Sequence, residues 1–213
     1  MAEYALFDLN GTLLDPSPLG EPLEGNANFV ADVLDDAVRL AMIATITDSY
    51  CDFSALLEAA ARGRLQAAGR AELLDDVMAG ASRMKPFPDA LEAIEILRRA
   101  GYGVGVLTNS SAATARELIS ATGLQLEPVL GTGAVRAFKP DERVYAHAAE
   151  SVGARSEDLV LISAHWWDAL GAKRAGLRAG WVSRSEGARP DIRPAPDYEA
   201  RDLVGLAAAI AQR

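Results

Sequence analysis

From residue 85 onward the chain alternates in a way that leaves few folds open. Short apolar runs, "YGVGVLT" (102–108), "EPVLG" (127–131), "LVLIS" (159–163) and "AGWVSR" (179–184), are separated by amphipathic stretches of helical length. Those stretches are "DALEAIEILRRAG", residues 112 to 123, "PDERVYAHAAESVG" and "WDALGAKRAG", with "RDLVGLAAAIAQR" at the C-terminus. Strands separated by helices pair in parallel through right-handed crossovers. The expected fold is therefore α/β, a doubly wound parallel sheet with helices on both faces. One more strand, "EYALFD" (3–8), stands far upstream of the others.

Between that strand and residue 85 the pattern differs. "NGTLLDPSPLGEP" is rich in turn residues, with Pro16, Pro18 and Pro22. Apolar residues then recur at helical spacing: Phe29, Val33, Leu34, Ala37, Leu40, Ala41 and Ala44. "FSALLEAAARGRLQAAG" and "RAELLDDVMAG" continue as helices, and no strand-like alternation interrupts them. The expected organisation is a core of residues 1–14 and 85–213 with an all-helical cap, 15–84, inserted after the first strand. "SEGARPDIRPAP" (185–196) reads as a surface loop.

Composition narrows the partners. A net charge of -9 and a pI of about 4.8 argue against nucleic acid or an anionic membrane. They leave a small anionic substrate open, because a local pocket can be positive on a negative protein. No run of about 18 apolar residues is present, so no membrane span is expected. Cys51 is the one cysteine, so no disulfide forms within the chain. With two histidines beside it, a zinc site of the usual Cys/His kind is not expected either, and no cofactor is implied. The N-terminus has no basic segment, and a cytoplasmic location follows as the default. Apolar faces on the cap helices leave room for a homodimer.

In doubly wound sheets ligands bind at the carboxyl ends of the strands. Here three of those ends are polar: Asp8, Thr108-Asn109 and Ser163. Any one of them alone is an ordinary turn or cap signal. Together they suggest a polar pocket.

Four stretches, "FDLNGTLLD" (7–15), "LTNSS" (107–111), "KPDERVY" (139–145) and "ISAHWWDALGAKRAG" (162–176), resemble the motifs of the haloacid dehalogenase superfamily. Order, spacing and strand context agree, and the four span nearly the whole core. The resemblance implies Asp8 as a nucleophile that forms a covalent ester, which splits one hard displacement into two easier steps. Gly11 permits the tight turn and Thr12 hydrogen-bonds near the nucleophile. Thr108 and Asn109 would bind the substrate's acidic group, with Leu9, Asn10, Tyr145 and Trp167 as further substrate contacts. Lys139, one of three lysines, would hold Asp8 ionised. Ser163, His165 and Asp168 would surround the nucleophile.

Two absences refine this. Most members of the superfamily are magnesium-dependent phosphatases with a second Asp two places after the nucleophile and another directly after the fourth motif's leading glycine. This chain has Asn10 at the first place, and Ser163 then Ala164 at the second. An amide cannot protonate a leaving alkoxide, and Asp8 with Asp168 makes a poor magnesium site. Halide needs no proton to leave. "SAHWWD" resembles the fourth motif of the metal-free branch, the type II 2-haloacid dehalogenases. What that implies is a two-step reaction on short 2-haloalkanoic acids. Asp8 displaces halide from C2, and water, oriented by Asp168 with help from Lys139, then releases a 2-hydroxy acid. Members of that branch carry an aromatic residue, commonly Tyr, at the position of Asn10, and an Arg early in the cap. Here "NANFVADVLDD" has none and Arg39 comes later. A magnesium-dependent phosphatase, or a catalytically weak binding protein on the same fold, are the alternative readings.

Overall fold

A computed structural model describes residues 3–184 and 186–212; Ser185, the first residue of the expected 185–196 loop, and the chain ends lie outside them. Six strands form one parallel sheet: β1 (Tyr4–Phe7), β4 (Gly103–Thr108), β5 (Val129–Gly131), β6 (Leu159–Ser163), β7 (Arg178–Val182) and β8 (Tyr198–Ala200). Their spatial order is β5-β4-β1-β6-β7-β8, so the chain builds outward from β1 on one side and then on the other. The switch point falls at β1, between β4 and β6. The doubly wound α/β expectation is borne out.

The sheet's two faces carry two cores. Ala5 and Phe7 of β1, Val104 and Val106 of β4, and Val160 and Ile162 of β6 point to one face. There they meet α4 (Ala90–Arg99), α5 (Ala112–Thr122) and α8 (Leu203–Ala211). Leu6, Leu159 and Leu161 point the other way, onto α6 (Glu142–Val152) and α7 (Trp166–Arg174). This is the period-two alternation of a strand buried on both sides.

Between β1 and α4 run α1 (Ala27–Ile46), α2 (Phe53–Ala67) and α3 (Leu74–Ala81). Asn26 caps α1 by accepting from the Phe29 N–H at 3.0 Å. The inward stripe of α1, Val30, Val33, Ala37, Ala41 and Ala44, joins the first core. At the two crossings between sheet and helices, β2 (Leu14–Asp15) pairs antiparallel with β3 (Lys85–Pro86).

Three local features depart from expectation. The short ribbon of β2 and β3 was not foreseen, since two-residue strands carry no periodicity. The edge strand β8 follows the 185–196 loop directly and is similarly short. The last helix starts at Leu203, because the Asp202 side chain caps it by accepting from the Gly205 N–H at 2.7 Å.

Candidate active site

The site lies where β1, β4 and β6 end. Asp8 follows β1 directly, and its N–H donates to the Ile162 carbonyl at 2.9 Å, so the sheet register fixes its place. Gly11 then turns the chain at φ 81°, a left-handed conformation that glycine adopts without strain. The turn brings Thr12 back under Asp8. The Thr12 hydroxyl accepts from the Ala164 N–H (2.9 Å) and donates to Asp8 Oδ2 (2.8 Å), so its single proton is directed at the carboxylate.

Lys139, on the segment between β5 and α6, has no exposed surface. Its ammonium donates to Asp8 Oδ1 (2.8 Å), Asp168 Oδ2 (2.7 Å) and the Leu107 carbonyl (3.0 Å). Those three bonds use every donor a lysine has. Asp168, in the first turn of α7, is equally buried, and its Oδ1 accepts from the Tyr145 hydroxyl at 2.7 Å. Tyr145 reaches it because residue 171 is glycine: a Cβ there would stand 2.5 Å from the Tyr145 oxygen.

The electrostatics follow from this packing. Burial pushes the Asp8 carboxyl up, but the charges of Lys139 and His165 and the bonds from Lys139 and Thr12 bring it below the usual carboxylate range. Asp168 is held above that range, by burial first and by the Asp8 charge, with Lys139 pulling it back. Burial disfavours the Lys139 ammonium, yet Asp168 and Asp8 raise it above its ordinary value. One cation between two acids thus keeps Asp8 as the more readily ionised of the pair.

His165 approaches Asp8 from the open side. Its Nε2 lies 3.1 Å from the Asn10 carbonyl and 3.7 Å from Asp8 Oδ2, and its Nδ1 lies 3.7 Å from Glu186 Oε1. The ring stacks on Trp167 with centroids 5.4 Å apart. Burial lowers its basicity, but Glu186, Asp8 and the Asn10 carbonyl outweigh that and raise its pKa to about 9. The imidazole is therefore a cation at neutral pH.

Above Asp8 is a cavity of about 40 Å³, walled by Asn10, Thr108, Asn109, His165 and Trp167 from the sheet side and by Leu34, Asp35, Val38 and Phe53 from α1 and α2. The Asn109 Oδ1 accepts from the Lys139 N–H at 2.9 Å, which leaves its NH₂ as the free end. The Thr108 hydroxyl oxygen accepts from the Ser110 N–H at 3.2 Å, which leaves its proton free. Both residues offer donors, as an anion requires.

Not every expected residue reaches this cavity. Tyr145 was expected at the substrate but sits wholly buried behind Asp168, on the inner face of α6 with Val144 and Ala148. The Leu9 side chain packs into the core instead. Ser163 is buried, and its Oγ accepts from the His165 N–H at 3.1 Å. Asp168 reaches Asp8 only through Lys139. Arg39 does not line the cavity; its side chain is exposed on α1, 2.7 Å from Asp36. Glu186, Asp35, Phe53, Leu34 and Val38 were not foreseen. The helical phase of α1 could have placed Leu34 and Val38 on one face; nothing local marks Glu186.

The donors do not suit a magnesium ion. Both oxygens of Asp8 are taken by Lys139 and Thr12, and both of Asp168 by Lys139 and Tyr145. Among the described residues no three His, Cys, Asp or Glu side chains are arranged to hold a metal.

A doubly wound sheet with an aspartate at its switch point, a buried lysine behind it and helices over it defines a class of hydrolases built on a parallel α/β core. Residues 3–176 match the family described as haloacid dehalogenase-like hydrolase, and the chain belongs to that family. It is 25% identical to an (S)-2-haloacid dehalogenase of Pseudomonas fluorescens over 95% of this chain and 93% of that one. A phosphatase of Mycobacterium tuberculosis is 36% identical over 58% of this chain and 55% of its own. A dehalogenase crystal structure with an intermediate complex is 25% identical, with a TM-score of 0.91 over 100% of this chain and 98% of that one.

Proposed function

We propose that this protein is a metal-independent hydrolytic dehalogenase that converts short 2-haloalkanoic acids to 2-hydroxy acids. The observation that carries the reading is Asp8 itself. It is a carboxylate held ionised by Lys139 and Thr12, opening on a cavity where Asn109 and Thr108 present free donors. The substrate carboxylate rests against Asn109 and Thr108, opposite the His165 cation. Asp8 attacks C2 in line, the carbon–halogen bond breaks, and halide leaves with the bonding pair. The Asp8 ester is then opened by water. A positioned nucleophile of this kind supplies on the order of 7–11 kcal/mol by proximity alone.

The (S)-2-haloacid dehalogenase relative covers nearly the whole chain and supports the substrate class. The small cavity favours short acids. The division into a core of 1–14 and 85–213 and a cap of 15–84 belongs to the same reading, with the ribbon of β2 and β3 at both crossings.

The test is halide release from both enantiomers of 2-chloropropionate and from monohaloacetates, in buffer with EDTA, comparing wild type with Asp8→Asn. Release that requires Asp8 and ignores EDTA is the expected result. Equal rates for wild type and variant on every haloacid would sink the reading.

A further inference from the structure

We propose that Glu186 is a positioning residue for His165, and that this histidine–glutamate pair, rather than Asp168, moves the proton when water opens the Asp8 ester. The inference rests on the dehalogenase reading. It starts from a question of access. A base must come within hydrogen-bond reach of the water it deprotonates. Asp168 has no exposed surface, and its two oxygens are held at 2.7 Å by Tyr145 and by Lys139. Freeing it would leave a buried ammonium or hydroxyl without its partner.

His165 has what Asp168 lacks. It lines the Asp8 cavity and also a neighbouring cavity of about 430 Å³. Its Nε2 stands 3.7 Å from Asp8 Oδ2. Glu186 is built to orient it. One carboxylate oxygen accepts from the Trp166 N–H (2.9 Å) and the Trp181 indole N–H (3.1 Å), which holds the other 3.7 Å from Nδ1. In the resting site Nε2 donates to the Asn10 carbonyl at 3.1 Å, and the carboxylate on the Nδ1 side holds that nitrogen's proton in place, so Nε2 is the atom that gives its proton up and takes it back.

Five charged groups face the ring or share its cavities. Asp8 stands at the end of β1, Asp15 on β2, Glu186 and Arg184 on the chain after β7, and Asp35 on α1. In the resting site His165 is a cation that helps keep Asp8 ionised. Alkylation cancels the Asp8 charge, so His165 binds its proton less tightly, and the molecules that have given it to solvent are the ones that react. Water then adds to the ester carbonyl carbon and passes one proton to Nε2. The bond between that carbon and the ester oxygen breaks. The alkoxide takes the proton from His165 and leaves as the 2-hydroxy acid. The second water proton goes to solvent as Asp8 returns to carboxylate.

The test is Glu186→Gln, whose amide oxygen can still accept from Trp166 and Trp181. With two histidines in the chain, the His165 C2–H resonance is assigned by its loss in His165→Gln and titrated by proton NMR. The midpoint is expected to fall in Glu186→Gln. With 2-chloropropionate, the first equivalent of halide is still released. Turnover then slows about 10²-fold, the lower end of what a positioned base contributes, and the ester accumulates as added mass on the Asp8 peptide. An unmoved midpoint overturns the pairing. Wild-type turnover with no trapped ester overturns the role in proton transfer. No halide from wild type would instead sink the dehalogenase reading and the proton-transfer role with it, while the titration still decides the pairing.

Discussion

Replacing Lys139 with Met removes a cation that has no exposed surface and makes three hydrogen bonds. Met fills much the same space, so the loss is one of charge. Two carboxyls then remain: Asp8, 6% exposed, and Asp168, not exposed at all. Leaving a buried charge without its partner costs about 3–5 kcal/mol. For a chain of this size each kcal/mol lowers Tm by roughly 2–4 °C, so the expected fall at pH 7.5 is roughly 6–20 °C. The pH dependence is the sharper signature. In wild type Asp8 is depressed and Asp168 raised, so their contributions to the slope oppose each other. In the variant at least one carboxyl folds protonated while its unfolded counterpart is ionised. Stability then rises as pH falls, by about 1.4 kcal/mol per pH unit for each proton taken up. Between pH 7.5 and 5.5 the gap between the two proteins should narrow by about 3 kcal/mol. Urea denaturation at both pH values measures it. A gap that stays constant, or a loss under about 1 kcal/mol at pH 7.5, would refute the view that Lys139 is the counter-charge to both acids.

Thr12→Val leaves the Ala164 N–H without an acceptor and Asp8 without one donor, so urea denaturation should report a loss of about 1–3 kcal/mol. Gly171→Ala places a Cβ 2.5 Å from the Tyr145 oxygen and 2.6 Å from Pro140 Cβ, and an overpacking cost of about 1–3 kcal/mol should lower the urea midpoint at constant m. His165, with its pKa raised to about 9, stabilises the fold fully below its ordinary value of 6.5 and loses that contribution as pH rises through about 9. Tm should therefore drop between pH 8 and 10 in wild type by more than in His165→Gln. Asp8 is shifted the other way, so the acid limb of kcat/KM for halide release should lie below the ordinary carboxylate range.

The parts of the fold that were legible in the sequence are those where one local rule acts alone. Apolar runs ending in Asp8, Thr108 and Ser163 read as buried strands because burial on both faces leaves no polar alternation to confuse them. Lys139 was legible through its motif, and its partners follow once the strand ends converge. Tyr145 was misplaced although its helix held the answer. It shares an inner face with Ala148 and Ala149, three and four residues on, and that phase points to the core rather than a cavity. Glu186 had no such signal. It lies in a polar loop, and its meaning comes from Trp166, Trp181 and His165, which belong to other elements and meet it only in the folded chain. The ribbon of β2 and β3 is set by where the helical segment leaves and rejoins the sheet, and two residues are too few to show a period.

Among the described residues no arginine lines the Asp8 cavity, and that has a physical consequence. Arg39 points outward and is bonded to Asp36, while the helices over the cavity present Leu34, Val38 and Phe53 together with an acid, Asp35. An anion entering from that side meets apolar surface and like charge. The free donors of Asn109 and Thr108 are on the sheet side, and so is the one cation facing the cavity among the described residues, His165. Attraction and repulsion therefore point the same way, and would press the anionic substrate of the proposed reaction down against the strand ends beside Asp8. The same imidazolium that draws the anion in also raises the share of Asp8 that is ionised. In the proposed reaction, recognition and nucleophile activation thus depend on one protonation state, which the 3.7 Å approach of Glu186 helps to hold.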